Sequence, residues 1–424
     1  MSEGGKTFVG FGFGPIQSGL FLYEAATSGN FSRYVVAEVD ATLVHAVRMN
    51  KGRCDVNIAR MDGVETGHLE GLEVYNPGVP ADRKRLLEAI GESDEMATCL
   101  PSVDFYDADK DTSVARLLGE GLAGRDPSIP VVIYTAENNN AAAERLFAWM
   151  SEYATPETLA SVQTLNTVIG KMSGVIGGRD EIAGLGLSPV VPGANRAVLV
   201  EEFNRILVSR VESEEYSRGI EVFVEKDDLL PFEEAKLYGH NAVHALIGYL
   251  AGVDNLETMA EAARHSGIMK IARDAFVSES GAALVDKHGA TGDSLFTPAG
   301  YEAYADDLLK RIGNPFLNDM VARICRDPRR KLGHDDRLYG TMRLALEHGI
   351  EPTNLALGAA AAVDWLRREE GAPASSGEAA DPITKPDLEA LLNEIWGAGG
   401  PAEAGKLLSL TWDAMQRLTR GEWR

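Results

Sequence analysis

The stretch from Thr7 to Glu38 constrains the chain more than any other. Thr7-Phe-Val-Gly-Phe11 reads as a short buried strand and Gly12-Phe-Gly14-Pro15-Ile16-Gln17-Ser-Gly19 as a glycine-rich turn. Leu20-Phe-Leu-Tyr-Glu-Ala-Ala then reads as a helix, and Tyr34-Val-Val-Ala37 as a second strand that ends in Glu38. A strand, turn, helix and strand in this order form a parallel α/β unit. The turn brings backbone N–H groups and a helix N-terminus to where a pyrophosphate can sit. Glu38, 26 residues after Gly12, falls at the tip of the second strand, placed to chelate a ribose diol and to repel the extra phosphate of NADP. Gly12, Gly14, Pro15, Ile16, Gln17 and Glu38 are therefore the candidate cofactor contacts, and NAD is the expected cofactor. Gln17 stands where the strict fingerprint has its third glycine, so either the helix sits less tightly on its strand or Gln17 itself touches the cofactor. Asp40 is expected to face the helix that follows.

The alternation continues downstream. Met96 to Leu100 is strand-like, Ser113 to Leu118 helical, and Pro130-Val-Val-Ile-Tyr-Thr-Ala136 a buried strand that ends in Glu137-Asn138-Asn139-Asn140. Ligands of open parallel sheets bind at the carboxyl ends of strands, although an Asn run there is more often a turn or an N-cap. Residues 168–173 and 189–192 read as a further strand and loop. From about residue 229 the pattern becomes helical, with helices expected over 232–251, 255–265, 266–288, 298–312, 315–326, 335–348, 353–368, 385–396 and 401–419. The fold class is thus α/β: a Rossmann-type dinucleotide-binding domain over 1–228, then a mostly α-helical domain over 229–424 that carries substrate and chemistry. A chain of 424 residues is long enough for two cores. Residues 370–382, rich in Ala, Ser, Gly and Pro, read as an exposed loop.

The helical domain opens on Lys236-Leu-Tyr-Gly-His240-Asn241-Ala-Val-His244. At about 100° per residue, Asn241 lies about 140° and His244 about 80° round from Lys236, so the three can share one broad face. Amine, amide and imidazole suit proton removal from an alcohol: the amine as base once burial lowers its pKa, the others as hydrogen-bond donors. The plainer alternative is an amphipathic helix with a solvated lysine. His240 and His244 have the spacing of a zinc pair, but Asn241 stands where that motif needs Glu and no third ligand is evident, so no metal is expected.

Composition narrows the partners. A net charge of −23 and a pI near 4.8 oppose binding to nucleic acid or anionic lipid. Against that balance, Arg323, Arg326, Arg329, Arg330 and Lys331 cluster with only Asp327 between them, which suits a carboxylate or phosphate, though a charge run is commonly a solvated helix end. Three widely spaced cysteines form neither a CxxC pair nor a disulfide framework. No apolar signal core or membrane-length run is seen, so a cytoplasmic protein is expected, as a monomer or small homo-oligomer.

Taken together, the glycine turn, Glu38, Ala136-Glu137-Asn138 and Lys236-x4-Asn241-x2-His244 resemble the long-chain, metal-independent polyol dehydrogenases, the mannitol dehydrogenase family. Arg311-x2-Asn314-Pro315, Arg329-Arg330-Lys331-Leu332 and Asp336-Arg337-Leu338 resemble in particular its branch acting on mannitol 1-phosphate. The resemblance implies Lys236 as general base, Asn138 and Asn241 as donors to the developing alkoxide, and His244 as the group that orients the substrate oxygen. It implies Arg323, Arg330 and Lys331 as contacts to distal hydroxyls or a phosphate. The partner is then a small polyol or sugar phosphate. Gly170-Lys171 departs from the family, where many members carry Asp then Arg. The alternatives are an unphosphorylated hexitol or sugar acid as substrate, and a non-catalytic NAD(H)-binding regulator.

Overall fold

The computed structural model describes residues 5–108, 111–371, 383–397 and 400–424. The loop expected over 370–382 lies, apart from Glu370 and Gly371, outside them. The chain divides into two compact units, Met1–Leu230 and Pro231–Arg424.

The first unit is built on β1 (Lys6–Phe11), β2 (Phe31–Ala37), β3 (Cys54–Ala59), β4 (Val64–Leu69), β5 (Leu72–Tyr75) and β6 (Glu95–Thr98). It continues with β7 (Val131–Thr135), β8 (Val162–Val168), β9 (Ser173–Gly177), β10 (Arg196–Glu201), β11 (Ile206–Ser209) and β12 (Phe223–Lys226). Eight strands form one sheet in the order β12-β11-β8-β7-β6-β1-β2-β5. From β5 across to β8 every pairing is parallel, and β11 joins antiparallel to β8. Strand order reverses between β1 and β6, which places the glycine turn at the switch point where such sheets bind ligands.

Alternation along the strands explains why both faces of this sheet are covered. Phe8, Val132 and Tyr134 point into one apolar cluster, while Val9, Val131 and Ile133 point into another that is closed by the helices Pro80–Gly91, Val114–Leu122 and Ala142–Met150. Parallel strands buried on both faces read as continuous apolar runs. Each fully buried aromatic or branched side chain contributes roughly 1.5–3 kcal/mol.

One strand expectation needs correction. Residues 169–172 are not strand but the crossing from β8 to β9, whereas 189–192 form the expected loop. That loop leads into β10, which pairs parallel with β3 and antiparallel with β9 in a second sheet, β4-β3-β10-β9.

The second unit is helical. Its centre is Ala242–Val253, buried on nearly every side and packed along Thr353–Glu369. A Cβ added to Gly248 would come within 2.6 Å of Ile324 Cγ2, so glycine there lets the short turn Val321–Ile324 lie directly on the central helix.

Two of the helices expected in the second unit contain π-helical turns. Leu230–Glu234 runs into a π turn, Ala235–Asn241, before Ala242–Val253, and Ser266–Asp274 into another, Ala275–Gly281. The 255–265 helix shrinks to Met259–Ala262, and 315–326 to a 3₁₀ turn plus Val321–Ile324. Among the described residues no helix is long and apolar enough to cross a membrane.

Candidate active site

In the first unit, the turn after β1 is shaped by Gly12. Its φ of +82° lies in the left-handed region, and a Cβ would meet the Cys99 carbonyl oxygen at 2.9 Å; only glycine fits. Gly14 differs, because a Cβ there would meet no atom of the chain within 4 Å. Packing therefore does not require a glycine at 14, and the open space there would admit the close approach of a pyrophosphate. Pro15 and Ile16 open the helix with half-exposed side chains. Glu38 Oε2 accepts from Phe13 N at 2.9 Å and Oε1 from Asp40 N at 2.8 Å, so the acid at the tip of β2 also holds the glycine turn. Asp40 caps the helix Ala41–Met49, accepting from Thr42 N and Leu43 N.

Gln17 does not turn outward. It is fully buried, and its amide fills the space over Gly10 of β1, where a Cβ would meet Gln17 Nε2 at 2.4 Å. The glycine missing from the helix is thus supplied by the strand, and the expected cofactor contact of Gln17 is replaced by a packing contact. Neither amide atom of Gln17 has a hydrogen-bond partner.

Asn138 stands exposed just beyond β7. The preceding Glu137 is buried and ties the end of β7 to β6, accepting from Thr98 Oγ1 and Leu100 N, each at 2.8 Å, and from Tyr106 OH at 2.5 Å. Burial raises its pKa against those hydrogen bonds. In place of the family's Asp-Arg, Lys171 is buried and donates to the Phe203 carbonyl at 2.8 Å.

In the second unit, Lys236 and Asn241 both belong to the π turn. A π turn closes over i→i+5 rather than i→i+4, so residues five apart stack, and Asn241 lies over Lys236 instead of about 140° away as α-helical geometry gives. Several contacts stabilise this turn. The Tyr238 carbonyl accepts from Ser280 Oγ at 2.8 Å and Thr341 Oγ1 at 3.2 Å, and Gly239 packs on Tyr301 and Phe276. Lys236 is only partly covered in area but crowded by protein; burial first, and then the Arg337 guanidinium, push its ammonium down to about 8. A neutral amine is then available near neutral pH. His240 is buried behind it and held well below its usual pKa by burial and by the neighbouring His244, Arg311, Lys236 and Arg337.

His244 lies against an acid that the sequence did not flag. Its Nε2 is 3.1 Å from Asp319 Oδ2, while Asp319 Oδ1 accepts from Arg323 Nε at 3.0 Å and Nη2 at 2.7 Å. Burial opposes ionisation of Asp319, but His244 and Arg323 together hold its carboxyl below the usual range. The nearest sequence signal was Asn314-Pro315 upstream, which announces a turn but not what the turn presents.

The basic segment meets this helix. Arg323, Arg326, Arg330, Lys331 and Arg337 line one cavity of about 380 Å³ with Asn241 and His244, and Asp327 is the one acid in its wall. Asp336 holds two of the cations, Arg330 Nη1 at 2.9 Å and Arg337 Nε at 2.8 Å. The run splits at the short helix Pro328–Lys331. Arg329 turns away to Glu370 and Glu394, and buried Lys331 donates to the carbonyls of Ile324, at 2.5 Å, and Arg326. Lys331 thus forms the cavity's floor while its ammonium is committed to the main chain. Burial and Arg337 push that ammonium down to about 8. Among the described residues no group of three or more His, Cys, Asp and Glu is placed to hold a metal ion.

Comparison with known proteins follows the same division. Residues 228–394 match the model of the mannitol dehydrogenase C-terminal domain. The chain is 27% identical over 357 residues to a mannitol-1-phosphate 5-dehydrogenase from Exiguobacterium sibiricum, covering 84% of this chain and 85% of that one. It is 26% identical over 367 residues to its counterpart from Halalkalibacterium halodurans, covering 85% and 89%. In fold it is similar to a substrate-free D-sorbitol dehydrogenase, with a TM-score of 0.75 at 14% identity over 99% of this chain and 94% of that one. It is also similar to Pseudomonas fluorescens mannitol 2-dehydrogenase, crystallised with NAD and D-mannitol, with a TM-score of 0.71 at 14% identity over 100% and 93%.

Proposed function

We propose that this chain, which matches the mannitol dehydrogenase C-terminal domain over residues 228–394 and is similar to mannitol-1-phosphate 5-dehydrogenases, is an NAD-dependent dehydrogenase of a polyol phosphate, interconverting mannitol 1-phosphate and fructose 6-phosphate. The observation that carries the phosphate is the cavity wall. Four arginines, Arg323, Arg326, Arg330 and Arg337, share it with Asn241 and His244 on a chain whose net charge is −23. Guanidinium groups bind phosphate oxygens through paired, charge-assisted hydrogen bonds.

In the oxidation direction, neutral Lys236 accepts the hydroxyl proton, and the Asn241 amide donates to the alkoxide that forms. Asn138 is assigned the same donor role by the family resemblance. NAD, when bound, supplies the nicotinamide carbon that takes the hydride; the products are ketone, NADH and the proton held on Lys236. Reduction runs the same steps backward, with protonated Lys236 returning its proton to the oxygen. The residues of the glycine turn fit the dinucleotide, since Gly14 leaves open space where a pyrophosphate must come close, and Glu38 offers a carboxylate to a ribose diol.

The test compares kcat/KM for fructose 6-phosphate and fructose with NADH. We expect a clear preference for the phosphate, reduced about 10- to 100-fold by Arg330→Ala, the worth of a charge-assisted hydrogen bond, with fructose little affected. Equal or better use of fructose removes the phosphate and favours an unphosphorylated hexitol. Tight NADH binding without turnover of any ketose would favour a regulatory binder.

A further inference from the structure

Asp319 is in the site but has no part in the steps above, and its placement is closely specified. Its own carbonyl accepts from Met259 N at 2.9 Å, and Val321 N donates to the Glu257 carbonyl at 2.9 Å. Thr258 and Met320 form an antiparallel bridge between these two bonds. Asn318, just before it, takes a left-handed φ of +47°, a conformation Asn tolerates better than most residues. The main chain is therefore held on both sides of a buried carboxylate, which divides its oxygens between the imidazole of His244 and the guanidinium of Arg323.

We infer that Asp319 is a positioning residue that fixes the tautomer of His244: it keeps the ring proton on Nε2, so that Nδ1 offers a lone pair and His244 accepts a hydrogen bond from a substrate hydroxyl. A carboxylate can only accept, so the nitrogen facing it must carry the proton, and in a neutral imidazole the other nitrogen is then an acceptor. A ketone oxygen has no proton to give to such a nitrogen. His244 therefore does not serve the reacting oxygen as a donor, the role its sequence pattern suggests; it selects a substrate with a hydroxyl beside the reacting carbon. Lys236 and the amide groups remain for the reacting oxygen. The substrate role rests on the polyol dehydrogenase reading, whereas the tautomer does not.

Asp319→Asn tests the inference sharply because of Arg323. A guanidinium has donors only, so it draws the amide oxygen of Asn to itself and turns the amide NH₂ toward His244 Nε2. The imidazole must then move its proton to Nδ1 and lose its acceptor. The measurement is the ¹⁵N spectrum of histidine-labelled, full-length protein at pH 8.5, with His244 assigned through His244→Gln, alongside kcat and KM for the polyol phosphate. The wild type should show a protonated Nε2 and an unprotonated Nδ1, and Asp319→Asn the reverse. In the variant kcat should fall by about 10²- to 10⁴-fold, with a much smaller change in KM for NAD. With a substrate lacking the neighbouring hydroxyl, the two proteins should differ little. A wild-type His244 protonated on Nδ1 overturns the assignment without recourse to any variant, and so does a variant spectrum that does not reverse. Reversal with unchanged kcat overturns the acceptor role. Reversal in a protein that turns over no polyol upholds the tautomer assignment and removes the dehydrogenase reading instead.

Discussion

Each unit carries a π-helical turn among its candidate ligand-binding residues, and the two are used in opposite ways. In Gln17–Leu22 all six residues are buried: Gln17 lies on Gly10, and Gly19 is so close to β10 that a Cβ would meet Val200 at 2.4 Å. In Ala235–Asn241 the turn stacks Lys236 and Asn241, both partly exposed, and buries Ala235, Gly239 and His240. The difference accords with the role proposed for each region. A glycine turn recognises a pyrophosphate with backbone N–H groups, so its side chains are left for packing. Proton transfer, the role proposed for the second turn, needs side chains, and that turn presents them.

The comparison breaks most readily at Lys236. Lys236→Ala should lower turnover by about 10²- to 10⁴-fold while leaving NADH affinity nearly intact by fluorescence titration. Loss of NADH binding instead would mean that the second turn serves the cofactor as well. In the wild type, oxidation needs the neutral amine, so kcat/KM for the polyol should rise with pH and level off above about 8; reduction should fall over the same range. A flat profile between pH 7 and 9 would argue for another base.

Gly14→Ala probes the first region in the complementary way. The new methyl meets no chain atom, so the melting temperature should hold while NADH affinity drops roughly tenfold, the reach of the backbone to the pyrophosphate being blocked. An unchanged affinity would move the cofactor elsewhere. The smallest effect is expected at Gln17. Gln17→Leu removes a buried amide without hydrogen-bond partners at similar volume and should stabilise by about 1 kcal/mol, read as a raised urea midpoint. Destabilisation would show that the amide is bonded, for instance to an internal water.

The same contrast explains what the sequence made legible. Gly12, Gly14 and Glu38 could be named as candidates because backbone recognition leaves a local trace in glycine spacing and strand ends. Lys236, Asn241 and His244 could be listed, but their angles could not, because nothing in Lys-Leu-Tyr-Gly-His-Asn marks a π turn; it depends on Ser280, Thr341 and Tyr301, remote in sequence. Asp319 was hidden for a related reason, since its position depends on the bridge to 257–259. The basic run was visible as composition, yet the outward turn of Arg329 and the commitment of Lys331 to carbonyls follow from one short helix and from acceptors on the neighbouring turn. The second sheet escaped notice because β10 pairs with β3, about 140 residues earlier in the chain.

A π turn is an α-helix that holds one residue too many, and this sets how the chain tolerates insertion and deletion. Removing a single residue between 237 and 240 would let the helix relax to regular α geometry, a locally favourable change. Asn241 would then stand four residues after Lys236, about 40° round from it, so the amide would keep its side of the helix, His244 its side toward Asp319 and Gly248 its side toward Ile324. The interval between amine and amide can therefore be shortened by one residue, whereas relaxing the turn to α geometry at its present length would swing Asn241 about 100° further from Lys236.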